Sequence, residues 1–334
     1  MKIVLTENNH KLQELIDEEI KPELEGCDFV FCHSEEEIRK NLPDAEVLLT
    51  SSRGISREDL EIAGKLRLVQ FVGAGYDSAD LEACSEFDVK VANVPSWRSG
   101  NAESVAETAI MHMLILAKRT HLFEETFRAR RIFAPFSTAL WKKRVLVVGL
   151  GGVGHAIVER LTGLGMEVVG ANRTIRPQFS QWGLKEVFPL SRLDEAVRGC
   201  RFVVLALPSN PETDGIINEK ILQAMDPDSW LINVARPNLV DREAFLKALD
   251  ENQLAGAGLD VIWGEPADPD DPLFKDPRLS LSPHTGGVTD EFYKGAIAGI
   301  KENLSRQRDG REILNVVNET SKKRREKNDG NLSG

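Results

Sequence analysis

Short runs of apolar and β-branched residues alternate with charged amphipathic stretches along most of this chain of 334 residues. Such alternation is typical of a parallel sheet flanked by helices. The length is enough for two domains that each bury their own core, and ten or more strand–helix units favour two doubly wound α/β domains. The strand-like runs are MKIVLT, CDFVFC, AEVLLTS, LRLVQFV and VKVANVP, followed later by RVLVVG, EVVGAN, FVVLAL, SWLINV, AGAGLDV and LSLSP.

Two further segments complete this outline of the chain. A long helical pattern runs from about Ala102 to Glu125 between the two series of strands. The last residues, from about Asn318, are polar and low in apolar side chains, which predicts a disordered tail. We interpret its KKRREK run as solvated, with a targeting or nucleic-acid patch as the alternative.

Composition and charge argue against several functional classes. The formal net charge of −11 lacks the dense basic surface that nucleic acid requires. No apolar run approaches the roughly 20 residues of a membrane span, and the segment MKIVLTE runs straight into a strand pattern without a signal-peptide core. Cys27, Cys32, Cys84 and Cys200 have neither CxxC nor metal-ligand spacing. We therefore expect a cytoplasmic protein that binds neither nucleic acid nor a membrane.

A glycine-rich turn stands at the start of the second series of strands. Its context is a strand from Val145 to Val148 before it and an amphipathic helix from Val153 to Leu164 after it, as a GxGxxG dinucleotide motif requires. The first glycine permits the tight turn, the second admits a pyrophosphate, and the third lets the helix pack closely. A tight turn without a ligand is the alternative. The motif is Gly149-Leu150-Gly151-Gly152-Val153-Gly154.

The end of the next strand predicts which dinucleotide binds. NAD sites place an acidic residue there, about 20 residues after the glycines, to accept from the ribose hydroxyls. This chain has Asn172, followed by Arg173 and Thr174, with Arg176 nearby. No carboxylate repels a 2′-phosphate, and the arginine can donate charge-assisted hydrogen bonds to one. We therefore expect a preference for NADP(H), with NAD(H) possible; a surface arginine beside a neutral NAD site is the alternative.

Three polar residues follow later strands, at the sheet edge where open α/β folds collect their ligands. Arg236 follows WLINVA, Glu265 follows AGAGLDVIWG, and His284 closes LSLSPH. Reduction of a 2-oxo acid needs these types: a guanidinium for the carboxylate and ketone, and a histidine that protonates the alkoxide. A carboxylate against the other ring nitrogen would fix the tautomer and raise the pKa of the histidine. A lone histidine after a strand is more often structural, so only the set of three carries weight.

The remaining histidines lie in helical or loop contexts without a partner pattern, and we expect His155 on the surface. They are His10, His33, His112, His121 and His155.

Four ordered blocks of residues span about residue 45 to 317. The glycine turn is the third block. The others are Val72-Gly73-Ala74-Gly75-Tyr76-Asp77 with Asn93-Val94-Pro95; Gly100-Asn101 through Val105-Ala106-Glu107; and Leu207-Pro208, Thr213, Asn233-Val234-Ala235-Arg236, Gly258-Leu259-Asp260-Val261, Glu265-Pro266 and Pro283-His284-Thr285-Gly286-Gly287. In these blocks the chain resembles the D-isomer-specific 2-hydroxyacid dehydrogenases, a group that includes glyoxylate and hydroxypyruvate reductases.

The resemblance implies a role for each of these positions. Arg236 would bind and polarise the substrate, His284 would be the acid–base, and Glu265 would orient it. Backbone N–H groups of Val72, Gly73, Ala74 and Gly75 would bind the substrate carboxylate, as expected of an anion-binding nest. Asp260 would hold the nicotinamide carboxamide. The implied cofactor-binding set is Gly149, Gly151, Gly152, Val153, Gly154, Asn172, Arg173, Thr174, Leu207, Pro208, Thr213, Val234, Ala235, Asp260 and Gly286.

The resemblance also implies the domains and the assembly. A flavodoxin-like substrate domain would comprise residues 1–100 and 289–317, a Rossmann domain residues 101–288, and a disordered tail residues 318–334. A homodimer would form through the cofactor domain. The expected reaction is the NAD(P)H-dependent reduction of a small 2-oxo acid such as glyoxylate or hydroxypyruvate to the D-2-hydroxy acid. An NAD-linked D-2-hydroxyacid dehydrogenase of another substrate and a dinucleotide-sensing corepressor-like scaffold are the alternatives.

Two residues depart from the family pattern, and a third has no assigned role. Pro237 stands where the family usually has glycine after the arginine, and Asn172 replaces the common aspartate. Proline removes an N–H and favours an extended Arg236, which is compatible with a strand end. Arg53 could meet a second anionic group of the substrate or be a solvated loop residue.

Overall fold

The computed structural model describes residues 1–6, 9–51 and 53–319, and the predicted α/β class with two doubly wound sheets is confirmed. The chain divides into two compact units. The first unit comprises Met1–Gly100 with the chain from Asp290 onward, and the second comprises Asn101–Thr289. None of the described helices is long and apolar enough to cross a membrane.

The first unit has a five-stranded parallel sheet in the order β2-β1-β3-β4-β5, which is the flavodoxin-like order. Every residue of β3 and β4 is buried, because helices cover both faces of a parallel sheet. The strands are β1 Lys2–Leu5, β2 Asp28–Phe31, β3 Val47–Thr50, β4 Leu68–Phe71 and β5 Lys90–Ala92. The helices between them are α1 His10–Leu15, α2 Glu35–Asn41, α3 Arg57–Ile62 and α4 Leu81–Glu86.

The second unit has a seven-stranded parallel sheet in the order β12-β11-β10-β9-β6-β7-β8. The strand order reverses beside β6, which is where such sheets form a ligand crevice at their carboxyl ends. The strands are β6 Arg144–Val148, β7 Glu167–Asn172, β8 Val187–Pro189, β9 Phe202–Leu205, β10 Trp230–Asn233, β11 Gly256–Leu259 and β12 Leu279–Leu281. The helices are α5 Asn101–Lys118, α6 Phe123–Arg128, α7 Gly152–Gly163, α8 Leu193–Ala196, α9 Glu219–Ala224 and α10 Arg242–Asp250.

The helix predicted over Ala102 to Glu125 is not continuous. α5 ends at Lys118, and Arg119 adopts a left-handed conformation with φ of 54°. A 3₁₀ turn at Thr120–Leu122 and the short α6 follow. Apolar periodicity persists across a single left-handed residue, so the pattern did not reveal the break.

The chain returns to the first unit after the second sheet is complete. Helix α11, Asp290–Arg308, packs its apolar side into the core of the first unit. Beyond it, Val316 bridges Ala92 of β5 in antiparallel fashion. The Asn318 side chain accepts from Val91 N–H at 2.8 Å and donates to the Val89 carbonyl at 2.9 Å. The disordered tail was predicted from residue 318, but Asn318 is bonded to the sheet; residues 320–334 lie outside the described residues.

Candidate active site

The glycine turn between β6 and α7 gives each of its glycines a different environment. Gly149 has φ of 96° and would bring an added Cβ to 2.7 Å from the Leu207 Cβ, so no other residue fits there. A Cβ on Gly154 would lie 2.9 Å from the carbonyl carbon of Gly149 and closer still to its oxygen. A Cβ on Gly151 would meet nothing within 4 Å. The turn therefore keeps open space at the start of α7, where a pyrophosphate would need to approach backbone N–H groups.

Asn172, at the end of β7, braces this turn. Its Oδ1 accepts from Leu150 N–H at 3.0 Å, and its Nδ2 donates to the Thr174 carbonyl at 2.8 Å. Arg173 is exposed and forms an ion pair with Glu212 at 3.2 Å. Thr174 is also exposed. The positive charge predicted to favour a 2′-phosphate therefore has a carboxylate beside it.

The other predicted cofactor residues shape loops at the carboxyl ends of strands. The buried Thr213 donates its hydroxyl proton to the Pro208 carbonyl at 2.8 Å, which closes the loop after β9. Val234 and Ala235 are buried where β10 ends. Leu207 is likewise buried, whereas Pro208 is exposed and Gly152 and Val153 are half-buried in the first turn of α7.

The three predicted catalytic residues follow three adjacent strands. Arg236 follows β10, Glu265 lies in the loop after β11, and His284 follows β12. His284 Nδ1 and Glu265 Oε2 are 2.7 Å apart, with 49% and 35% of their side chains exposed. Glu265 Oε1 accepts from Ile262 N–H at 3.0 Å, which fixes the carboxylate. Arg236 donates from Nη1 to the Ala235 carbonyl at 2.7 Å.

This arrangement shifts the pKa values of the pair in opposite directions. The hydrogen bond to Glu265 raises the pKa of His284 above its usual value, against opposing effects of burial and of the Arg236 charge. Burial opposes ionisation of Glu265, but the hydrogen bonds from His284 and from Ile262 N–H outweigh it and lower the Glu265 pKa. A proton is therefore held on the imidazole rather than on the carboxylate.

Asp260 holds the turn that carries His284. The His284 backbone has φ of 53°, a left-handed conformation that residues other than glycine rarely adopt. Its N–H donates to the Asp260 carbonyl at 2.8 Å, and Thr285 N–H and Gly286 N–H donate to Asp260 Oδ1 and Oδ2, each at 2.9 Å. The sequence predicted that Asp260 binds the nicotinamide carboxamide. It did not predict that this buried carboxylate also holds the turn of His284. Oδ2 keeps a lone pair for one further donor.

Pro237 is compatible with an extended arginine. Arg236 has φ of −141° and ψ of 143°, and Pro237 opens a 3₁₀ turn, Pro237–Leu239, where a backbone N–H is not needed. The Arg236 carbonyl accepts from Asn233 Nδ2 at 2.9 Å. The proline therefore replaces the family's glycine without disturbing the strand end.

The predicted substrate loop lies in the first unit, directly after β4. Val72 N–H donates to the Thr50 carbonyl at 2.9 Å, so it holds the loop in place instead of serving a ligand. The carbonyls of Gly73 and Ala74 accept from Val94 N–H and from Asn93 Nδ2. These bonds occupy the two carbonyls, so the N–H groups of Gly73, Ala74 and Gly75 are the candidate donors to a ligand.

Neither interpretation of Arg53 was correct. Only 17% of its side chain is exposed, and its guanidinium bonds Asp59 at 2.7 Å and Glu35 at 2.9 Å. Asp59 belongs to the capping box of α3 with Ser56. Arg53 is therefore a structural residue of the first unit.

His112 is the residue that sequence reasoning passed over. It is fully buried on α5, with Nδ1 2.8 Å from Ser280 Oγ and Nε2 3.0 Å from Ser282 Oγ. The small residues of β11 make room for it, since a Cβ on Gly258 would collide with the His112 side chain. That AGAG run was the available sequence signal. His155 is exposed as predicted, and its ring contacts that of Trp182 with centroids 4.1 Å apart and planes tilted by 33°.

The chain is similar in sequence and in fold to known dehydrogenases and reductases. The family profile described as D-isomer specific 2-hydroxyacid dehydrogenase, NAD binding domain, matches residues 110–286. A glyoxylate reductase of Thermococcus onnurineus is 32% identical over 310 residues, covering 85% of this chain and 88% of that protein. A D-3-phosphoglycerate dehydrogenase of Mycobacterium bovis is 31% identical, covering 83% of this chain and 52% of that protein. The structure of a 2-hydroxyacid dehydrogenase from Ketogulonicigenium vulgare aligns with a TM-score of 0.79 at 26% identity, covering 95% of this chain and 98% of that one.

These matches and the glycine turn define a two-domain oxidoreductase that uses a nicotinamide cofactor. The chain belongs to the D-isomer specific 2-hydroxyacid dehydrogenase family. The family membership predicted from the sequence motifs is confirmed.

Proposed function

We propose that the protein reduces a small 2-oxo acid of the glyoxylate or hydroxypyruvate type to the D-2-hydroxy acid, with NADPH as the preferred reductant. The observation that carries the proposal is the 2.7 Å hydrogen bond between His284 and Glu265 beside Arg236, on three adjacent strand ends. A guanidinium and a proton-holding imidazole are the groups that carbonyl reduction of a 2-oxo acid requires.

The roles of the three residues follow from their hydrogen bonds. A nicotinamide held on the glycine turn would supply the hydride for the carbonyl carbon. Arg236 binds the carboxylate and polarises the ketone. Because Nδ1 of His284 is engaged by Glu265, Nε2 is the ring nitrogen that gives its proton to the developing alkoxide. Glu265 keeps the imidazole in that orientation and stabilises its protonated form.

Two further contacts belong to this proposal. We assign the N–H groups of Gly73, Ala74 and Gly75 to the substrate carboxylate, because they follow β4 in the loop that resembles the family's substrate loop, and the carbonyls of Gly73 and Ala74 are already bonded to Val94 N–H and Asn93 Nδ2. Asp260 Oδ2 would accept from the nicotinamide carboxamide with its remaining lone pair. Gly149, Gly151 and Gly154 would hold the pyrophosphate at the start of α7.

The coenzyme preference rests on Arg173 and Thr174, together with the lack of a carboxylate at Asn172. The ion pair between Arg173 and Glu212 favours a second candidate, an NAD-linked D-2-hydroxyacid dehydrogenase, because Glu212 offsets the charge offered to a 2′-phosphate. The ratio of kcat/KM for NADPH to that for NADH separates the two candidates. Arg173→Ala should lower that ratio; an unchanged KM for NADPH would contradict the NADP(H) assignment.

We also propose a homodimer in the cytoplasm, formed through the second unit. Five large apolar side chains, in α6 and in the segment between α6 and β6, are 62–98% exposed, and a concentration of exposed apolar side chains is typical of an interaction surface. An interface of two identical patches would bury each of them. The residues are Phe127, Ile132, Phe133, Phe136 and Trp141.

A direct spectrophotometric assay tests the reaction itself. Oxidation of NADPH or NADH is followed with glyoxylate, hydroxypyruvate, pyruvate and bulkier 2-oxo acids. His284→Ala should lower kcat by about 10²–10⁴ while dinucleotide binding persists. Wild-type turnover in that variant would overturn the catalytic assignment. Tight dinucleotide binding without turnover of any acid would favour a scaffold.

A further inference from the structure

A buried chain of hydrogen bonds joins α5 to the turn that carries His284. It starts at Ser280 on β12, passes through the ring of His112, and continues through the Ser282 hydroxyl to Asp260. The Ser282 Oγ to Asp260 Oδ1 distance is 2.5 Å. All members of the chain lie in the second unit.

The direction of each bond follows from the protons available. Asp260 Oδ1 already accepts from Thr285 N–H, and a carboxylate can only accept. The one hydroxyl proton of Ser282 therefore goes to Asp260. The Ser282 oxygen must then accept from His112, so His112 carries its proton on Nε2 and accepts from Ser280 at Nδ1.

The surroundings of His112 keep its ring in this single form. Burial lowers the pKa of His112, against a smaller opposing effect of the Asp260 charge. A neutral imidazole has one N–H, and here that N–H points along the chain toward Ser282. The Ser282 hydroxyl is therefore held in the orientation that donates its hydrogen bond to Asp260, and it does not rotate toward another acceptor.

We propose that His112 is a positioning residue, which acts through Ser282 and Asp260 to hold the turn that carries His284. A histidine with φ of 53° persists only where its surroundings over-determine the backbone. Asp260 accepts three hydrogen bonds from that turn. The Ser282 hydroxyl is the other donor to Oδ1 of Asp260, and His112 fixes its orientation. The proposal rests on the role proposed above for His284, but its structural part does not depend on turnover.

The structural part is tested without substrate. ¹⁵N NMR of the wild-type protein should show His112 as the neutral Nε2–H tautomer, without titration across the range in which His284 titrates. In His112→Leu, the amide hydrogens of Thr285 and Gly286 should exchange faster with solvent, because Asp260 is held less firmly. The opposite tautomer, or unchanged exchange at both amides, would overturn the proposal even if no 2-oxo acid is turned over.

The functional part is tested by kinetics. His112→Leu should lower kcat by about 10- to 100-fold, with little change in KM for the 2-oxo acid, because a small misplacement of the acid affects the reacting geometry. Ser282→Ala should have a similar effect, and the double variant should lose no more than the stronger single one. His112→Gln should recover most of the activity, since its amide can donate to Ser282.

A control variant and a melting measurement separate positioning from general packing. Met113→Leu changes the fully buried neighbour on α5 without touching the chain of bonds, and should leave kcat unchanged. If His112→Leu fails to fold, Ser282→Ala and His112→Gln carry the test. A lower melting temperature for His112→Leu with unchanged kcat would show that His112 only fills the core.

Discussion

Alanine substitutions in the glycine turn should separate its structural from its binding role. In Gly154→Ala the new methyl carbon would lie 2.9 Å from the Gly149 carbonyl carbon and closer to its oxygen. The colliding atoms are backbone, and Gly149 N–H is tied to the Ala171 carbonyl at 2.8 Å, so the turn has little freedom to relax. Overpacking of this kind costs about 1–3 kcal/mol.

That cost sets the expected change in melting temperature. A domain of 150–250 residues loses about 2–4 °C per kcal/mol, so Gly154→Ala should lower the melting temperature of the second unit by about 2–12 °C without any ligand. Gly151→Ala should behave differently. Its φ of −86° suits alanine and nothing lies within 4 Å, so the loss from its N-cap position is below about 1 kcal/mol.

The dinucleotide should reverse the ranking of the two positions. A methyl group on Gly151 would occupy the space that a pyrophosphate needs, so the Kd for NADPH should rise about 5- to 160-fold, which corresponds to about 1–3 kcal/mol. Calorimetric melting and titration with NADPH measure the two quantities. Gly163→Ala, at the other end of α7 with nothing within 4 Å, is the matched control and should leave both unchanged or raise stability slightly. Wild-type melting of Gly154→Ala, or wild-type affinity in Gly151→Ala, would refute the assignment of these glycines.

Three further predictions follow from the exposed and half-exposed charges and from the apolar patch. Glu265→Gln removes the carboxylate that raises the His284 pKa, and because reduction needs protonated His284, activity should be lost at a lower pH than in the wild type. The pH profile of kcat measures this: at a pH above the kinetic pKa, activity should fall tenfold for each unit by which that pKa drops. Glu212→Gln frees Arg173, so the NADPH-to-NADH ratio of kcat/KM should rise by about 1.4- to 5-fold, the value of an exposed ion pair of about 0.2–1 kcal/mol. Phe133→Ser should weaken the dimer at least about 100-fold in Kd by sedimentation velocity, because each interface loses two buried aromatic side chains of about 1.5–3 kcal/mol each.

Each of these predictions has a control variant or an outcome that would contradict it. A pH profile of Glu265→Gln that matches the wild type would contradict the role of the pair. Asp214→Asn removes a neighbouring carboxylate that bonds Ser209, and should leave the coenzyme ratio unchanged. Phe87→Ser removes a 39% exposed aromatic residue in the first unit and should leave the association state as it was. Equal effects of Phe87→Ser and Phe133→Ser would refute the proposed interface.

The parallel sheets and the position of the candidate site follow from local rules. Buried parallel strands are short runs of apolar residues, and β3, β4, β9 and β10 are buried at every position. Carboxyl ends of adjacent parallel strands meet at one edge, so the residues after β10, β11 and β12 had to lie near one another. The backbone demands of the glycine turn are equally local, because Gly149 and Gly154 contact each other within the motif.

The partners of buried polar side chains were beyond sequence reasoning because they come from distant parts of the chain. Arg53 meets Glu35, 18 residues away, and His112 meets Ser280, 168 residues away. Nothing local distinguishes a buried histidine with two serine partners from one on a helix surface. Asp260 illustrates the same limit: the motif implied a role toward the nicotinamide carboxamide, but the bonds of Asp260 to the turn of His284 depend on tertiary structure.

The first unit is built from both ends of the described chain, and this has a consequence for its synthesis. During translation, β5 emerges long before α11 and Val316. Helix α11 completes the core of the first unit, and Val316 bridges β5 at the edge of its sheet. The inserted second unit, Asn101–Thr289, is contiguous and can fold as soon as it leaves the ribosome. At about 5–20 residues per second, the five-stranded sheet of the first unit waits on the order of 10–40 s for helix α11. During that interval the nascent chain exposes the side of this core that α11 later covers, and chaperone capture should concentrate on the first hundred residues.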